Sequence, residues 1–195
     1  MTKLRALDFG YDTSDVMNNA GRPLFKPIFV SWSTPTRLTK DGDVVLDDCD
    51  YLEDGYLYAI VRNHGNASKA DAIRYIGITN NLETRFRNHP KMTELRSKGG
   101  ETSLSIGTID FGGYRTAKGA GNRRAIEELE HIFIWTLWHD LLNDKKQLTA
   151  PGMGKHRGRA WDITMKGYQF SGQMPKRIIY PWIVTEPRRD KSSKS

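Results

Sequence analysis

Tyr75-Ile76-Gly77-Ile78-Thr79-Asn80-Asn81-Leu82-Glu83-Thr84-Arg85-Phe86-Arg87-Asn88-His89 changes its periodicity halfway along. Ile73 to Thr79 is a short, largely apolar run of strand length, whereas Leu82, Phe86 and His89 recur at helical spacing. At the junction, Asn80 is followed three positions later by Glu83, the capping-box arrangement. A helix is therefore expected to begin at about Asn81, with Pro90 marking its end or a break.

Upstream, Tyr56-Leu57-Tyr58-Ala59-Ile60-Val61 is a second apolar-aromatic run, bounded by Asp54-Gly55 and by Asn63-His64-Gly65-Asn66. It predicts a strand over about 56–62. The polar segment Asn63 to Ala72 then makes a long hairpin loop, and Tyr58 and Tyr75 can face one cleft. Downstream, Ser103 to Phe111 reads as a third strand and Gly112-Gly113 as a turn. Asn122 to Asn143 reads as a long helix with Ile126, Leu129, Phe133, Leu137 and Leu141 on one stripe. The expected order is β-β-α-β-α.

These residues resemble the GIY-YIG nuclease superfamily. Tyr56-Leu57-Tyr58-Ala59-Ile60 looks like its first motif, with Tyr56 in place of the initial glycine and Gly55 one position early, and Tyr75-Ile76-Gly77 reads as its second. The run to His89 resembles the family's strand-to-helix passage, in which the catalytic arginine and a histidine four residues later share one helix face. Arg85 and His89 match them. Glu130, followed by apolar residues and then Asn143 thirteen residues on, matches the metal-binding glutamate and a later asparagine. The resemblance covers about residues 55–143. It implies an α/β (α+β) fold with a small antiparallel three-stranded sheet flanked by helices, and a site of Tyr58, Tyr75, Arg85, His89, Glu130 and Asn143.

The residue types suit phosphodiester hydrolysis on independent grounds. A water must lose a proton, the phosphate must have its growing charge stabilised, and the leaving oxygen must be neutralised. A tyrosine ordinarily ionises near pH 10, so Tyr58 acts as a base only if cationic neighbours stabilise its phenolate; His89 or a metal could do so, with Tyr75 orienting the water. Arg85 offers a planar fork of donors that lysine cannot reproduce. Two-metal sites need several convergent carboxylates, and here Glu130 has only Glu127 nearby, so one Mg²⁺ held mainly by water and phosphate is expected, with Mn²⁺ as a substitute. Taken singly, each of these residues is more often a core aromatic or a solvated side chain; their joint order and spacing favours catalysis.

The flanks match no motif. Residues 1–54 form an N-terminal extension ending in an acidic stretch, Asp41 to Asp54, whose spacing does not fit an EF-hand loop and reads as a solvated loop. The net charge of +7 is unevenly placed: residues 1–144 carry 18 Lys and Arg against 20 Asp and Glu, and residues 145–195 carry 12 against 3. The basic segment 145–195 is interleaved with Trp161, Tyr168, Phe170, Tyr180 and Trp182, and on charge alone a DNA grip and a solvated basic surface are equally compatible with it. As a DNA-contacting segment it offers Lys155, Arg157, Arg159, Lys176 and Arg177. Arg177 to Val184 could form one more strand, and Lys191 to Ser195 reads as a disordered tail.

Cys49 is the single cysteine, which excludes an internal disulfide and cysteine-rich zinc sites. A P-loop, a His-Glu-x-x-His pair and a GxSxG elbow are absent. A chain of 195 residues, over a third of them apolar, predicts a single domain. No stretch has the ~20 apolar residues of a membrane span and the start lacks a signal-peptide pattern, so a cytoplasmic protein with no membrane partner is expected. The compact core resembles the restriction enzymes of the superfamily, which implies double-strand cleavage by two subunits, a homodimer on a palindromic site. The alternatives are a structure-specific, repair or homing-type nuclease, and a nucleic-acid-binding protein that keeps the fold without turnover.

Overall fold

Leu57, Tyr58, Ala59, Ile60 and Val61 are five consecutive residues without a charged side chain, and a strand built from them needs cover on both faces. The computed structural model describes residues 12–38, 54–63, 70–87, 89–111, 120–151, 159–181 and 184–186. In it these residues form the middle of a strand, Tyr56–Asn63, buried from Leu57 to Arg62. The elements are β1 (Lys26–Trp32), β2 (Thr36–Arg37), β3 (Tyr56–Asn63), β4 (Ala72–Thr79), α1 (Leu82–Arg87), α2 (Pro90–Ser97), β5 (Glu101–Asp110), α3 (Ala120–Leu137), β6 (Trp161–Gly167), β7 (Arg177–Tyr180) and β8 (Val184–Glu186).

The α+β class is as expected, but the sheet is larger than three strands. Among the described residues, eight strands join in the order β4-β3-β5-β1-β6-β7-β8, with β2 also on β5. The antiparallel trio β4-β3-β5 lies at one end. The other strands come from the flanks: β1 runs antiparallel to β5 and parallel to β6, so the sheet is mixed. The N-terminal extension and the basic segment thus remove an edge that β5 would otherwise expose. β6 lies among glycines and prolines that read as breakers, and the strand expected over 177–184 is two strands, β7 and β8, antiparallel to each other.

The pleat of β3 divides the core. Leu57, Ala59 and Val61 belong to the cluster containing Leu129, Ile132 and Phe133 of α3. Tyr58 and Ile60 belong to the cluster containing Leu82 and Phe86 of α1 and Met92 and Leu95 of α2. Each fully buried Leu, Ile or Phe contributes about 1.5–3 kcal/mol.

The break at Pro90 is as expected, but the cap of α1 and the place of His89 differ from expectation. Asn81, not Asn80, caps α1: its Oδ1 accepts from Thr84 N at 2.8 Å, while Asn80 Oδ1 accepts from Arg123 Nη1 at 2.9 Å. His89 does not share the helix of Arg85; it is the extended residue before Pro90, which opens α2. A residue preceding proline avoids the helical region, and proline is favoured at the first helical position, so the chain breaks there. The break holds because Arg62 donates to the carbonyls of Leu95, Lys98 and Gly99, fastening the far end of α2.

The helix expected to reach Asn143 ends at Leu137, followed by a 3-10 turn at Trp138–Asp140. The chain instead bonds to the outer edge of β4, where Leu142 N donates to Arg74 O at 2.7 Å. Among the described residues, no helix is long and apolar enough to cross a membrane.

Candidate active site at the edge of the sheet

Tyr58 and Gly77 are direct partners across β3 and β4. The missing side chain of Gly77 creates the space for the phenol: a Cβ there would stand 2.5 Å from the Tyr58 hydroxyl and 2.8 Å from Tyr75 Cε1. The Tyr75 ring stacks beside that of Tyr58, with centroids 6.2 Å apart. The glycine of the second tyrosine motif therefore serves to pack the two phenols.

Arg85 reaches them from α1, its Nε donating to the Tyr58 hydroxyl at 3.3 Å. On the other side of that hydroxyl lies His89 Nε2, at 3.2 Å. The imidazole is buried, meets Tyr75 edge-on at 4.9 Å, and its Nδ1 has no hydrogen-bond partner among the described residues. Tyr58, Tyr75, Arg85 and His89, four of the six expected site residues, thus form one contact network.

The other two arrive from the far side of β4. A cleft of about 350 Å³ is lined by Tyr75, Arg85 and His89 and also by Glu130, Ile134 and Asn143. Because β4 is an edge strand, side chains from the layers on both faces meet around it. A larger hollow, about 550 Å³ beside Lys166, Lys176 and Arg177, lacks such a convergence of acid, base and phenol groups.

Tyr58 has no exposed surface and does not line the cleft, whereas Tyr75 does. The structure therefore reverses the expected order of access: Tyr75 is the phenol that water can reach. Burial pushes Tyr58 strongly upward, against the opposing hydrogen bond from Arg85. Burial also raises Tyr75, with the Arg85 charge opposing it. His89 is pushed down to about 4, first by burial and then by the Arg85 charge. The imidazole is thus neutral at pH 7, and the cation beside both phenols is Arg85 rather than His89.

His89 also sets a pH dependence. In the unfolded chain its imidazole takes up a proton near pH 6.5, and in the folded protein only near 4. The unfolded state binds more protons in that window, so stability is full above about pH 6.5 and falls as the pH drops towards 4, by up to about 3 kcal/mol. Urea melts at pH 7, 6, 5 and 4 should show this loss, and His89→Asn should flatten it. Equal slopes in the two proteins would refute the assignment.

Asn143 lines the cleft, but its amide is occupied. Oδ1 accepts from Ile76 N at 3.1 Å and Nδ2 donates to Ile76 O at 2.7 Å, so it completes the edge of β4 as a neighbouring strand would. Gln173 does the same at Ile73. Asn143→Asp keeps one bond and sets an acceptor against the Ile76 carbonyl. A loss of about 2 kcal/mol in chemical denaturation is expected, and wild-type stability would contradict the clamp.

Glu130 is 8% exposed, and Lys146 Nζ lies 2.5 Å from its Oε2. The ammonium shows that a cation fits on this carboxylate. Among the described residues, no group of three His, Cys, Asp or Glu converges as a protein cage for a metal. Among the described residues, the donor set fits an ion held by Glu130 together with water and substrate oxygens.

The cleft's cations are Arg85, Lys91, Lys145 and Lys146, against the acids Glu130 and Asp144; Lys91 Nζ lies 3.1 Å from Asp144 Oδ1. The three lysines were missed from the sequence, although Lys145 and Lys146 follow Asn143 almost immediately. Of the five expected DNA contacts, Lys155 and Arg157 lie outside the described residues. Arg159 packs over the Trp161 ring at 5.7 Å, and Lys176 borders the larger hollow. Arg177 is committed to Asp162 through two hydrogen bonds of 2.7 and 2.5 Å. The acidic segment before Asp54, positions 64–69 of the expected hairpin loop, the turn at Gly112-Gly113 and the C-terminal tail also lie outside the described residues.

Comparison with known proteins gives no significant match to a family model, a curated protein or a solved structure.

Proposed function

We propose that this protein is a Mg²⁺-dependent DNA endonuclease of the GIY-YIG type, cutting both strands of a duplex as a restriction enzyme does. The observation that carries this reading is the convergence of Tyr75, Arg85, His89 and Glu130 on one cleft, from β4, α1, the break before α2, and α3. In order and residue type they match the motifs that suggested the superfamily. Arg85, Lys91, Lys145 and Lys146 outnumber Glu130 and Asp144 in that cleft, which gives it the net positive charge a phosphodiester needs.

Arg85 approaches the phosphate with its guanidinium already oriented by the Tyr58 hydroxyl, and stabilises the charge that grows on the phosphate oxygens. Tyr75 faces the cleft and orients the attacking water; the Arg85 charge partly offsets the burial that disfavours its phenolate, the form able to take the water's proton. Tyr58 is a positioning residue between Arg85 and neutral His89, its hydroxyl hydrogen-bonded to Nε2. Glu130 would hold the Mg²⁺ or Mn²⁺ ion with water and phosphate. When bound, the ion supplies positive charge to the phosphate and the leaving oxygen.

The basic segment 145–195 would hold the duplex, and a homodimer would place two such clefts on the two strands of a palindromic site. Mixed linear DNA incubated with the protein and Mg²⁺ tests the subclass. Discrete fragments are expected; a smear, or cutting confined to branched substrates, would replace the restriction reading with a structure-specific one. Tight DNA binding without any cleavage, unaffected by Glu130→Ala, would make the protein a binder with this site but no turnover.

A further inference from the structure

Lys146 is a lysine with a φ of +69°, in the left-handed region that side chains other than glycine rarely adopt. That conformation costs about 1 kcal/mol or more, and a partly exposed Lys–Glu pair returns little. The neighbouring chain nevertheless holds it there. Asn143 is clamped to β4 three residues before, and Gln147 Nε2 donates to Leu141 O at 3.0 Å. Beyond it, Thr149 O lies 2.7 Å from His131 Nε2, on the residue next to Glu130. The segment is tied on both sides of Lys146 and delivers its ammonium to the buried Glu130 carboxylate.

We propose that Lys146 is the built-in counter-cation of Glu130, a positioning residue that occupies the place of the divalent ion until DNA enters the cleft. The inference rests on the nuclease reading. An ammonium and a divalent ion cannot share this carboxylate without strong repulsion, because both charges would lie within a few ångströms of each other. The ion therefore binds weakly to the free protein. It binds well only when a phosphate draws the Lys146 ammonium to the rim formed by Lys91 and Lys145, and the requirement for both together keeps the free enzyme unloaded.

Calorimetric titration of the full-length protein with Mn²⁺, without DNA, tests this directly. Lys146→Met should bind Mn²⁺ about ten-fold more tightly than wild type, the factor expected for removing one competing charge near the surface. Lys145→Met, which removes the same charge one residue away, should change affinity far less, and Glu130→Gln should abolish the tightened site. Lys146→Gly keeps the left-handed backbone without strain, so it should fold and repeat the Lys146→Met result. Equal affinities for wild type, Lys146→Met and Lys146→Gly would overturn the inference, as would an equal gain in Lys145→Met. If the affinities are equal and wild type still cleaves DNA, the role of Lys146 alone falls; if wild type neither binds Mn²⁺ in the presence of DNA nor cleaves, the nuclease reading falls with it.

Discussion

Arg85→Lys is expected to slow DNA cleavage under single-turnover conditions by about a hundredfold or more, the scale of losing one aligned charge-stabilising group. Charge is conserved in this substitution, so net electrostatic attraction to DNA should persist and binding should weaken only slightly. What is lost is geometry. The Arg85 guanidinium donates from Nε to the Tyr58 hydroxyl at 3.3 Å and also bonds the Tyr75 side chain, and the rest of its donor fork is available to the phosphate. A lysine ammonium is a point charge and cannot hold the phenol and present a planar fork at once. Arg85→Ala should lose at least as much. A wild-type rate in Arg85→Lys would show that the guanidinium is only a solvated helix residue.

The second large effect is expected at Glu130. Glu130→Gln keeps shape and hydrogen-bonding capacity but removes the charge that can hold a divalent ion, so the cleavage rate should fall by about a hundredfold to a thousandfold in Mg²⁺. Raising the Mn²⁺ concentration should restore part of it, because the ion would then lose one anchor and keep those from water and phosphate. The variant should fold normally, since Lys146 is partly exposed and can return to solvent. DNA binding should be unchanged or tighter, because removing an acid from a cleft that must accept a phosphodiester lowers repulsion. Unchanged cleavage in Glu130→Gln would remove the carboxylate from the chemistry.

The parts of the site that were legible in the sequence are those encoded locally. Tyr58 and Tyr75 could be placed together because two short strands joined by a polar loop form a hairpin. Arg85 followed because a capped helix starts directly after β4. Glu130 sits on the side of a regular apolar stripe.

The parts that were not legible depend on distant contacts. His89 leaves the helix of Arg85 because Pro90 follows it, and that signal was read only as an end or a break. Asn143 fell inside an expected helix because nothing local shows that its amide bonds to Ile76, 67 residues earlier. Lys146 could not be singled out, since its left-handed backbone is imposed by anchors on both sides. The size of the sheet was hidden for a similar reason. β1 contains Pro27 and β6 is surrounded by glycines, and each is a strand because the other, or β5, supplies its partner. The buried state of Tyr58 also depends on long-range packing, since it follows from Gly77 across the hairpin and Phe86 above it.

Supercoiled plasmid is the most direct substrate on which to test the central claim, because a single hydrolysed phosphodiester converts it to an open circle. Purified protein in stoichiometric excess should nick or linearise it in Mg²⁺, leave it intact in EDTA, and recover when Mg²⁺ is added back. Plasmid that stays supercoiled in Mg²⁺ and in Mn²⁺, with folded protein bound to it, would contradict the nuclease reading.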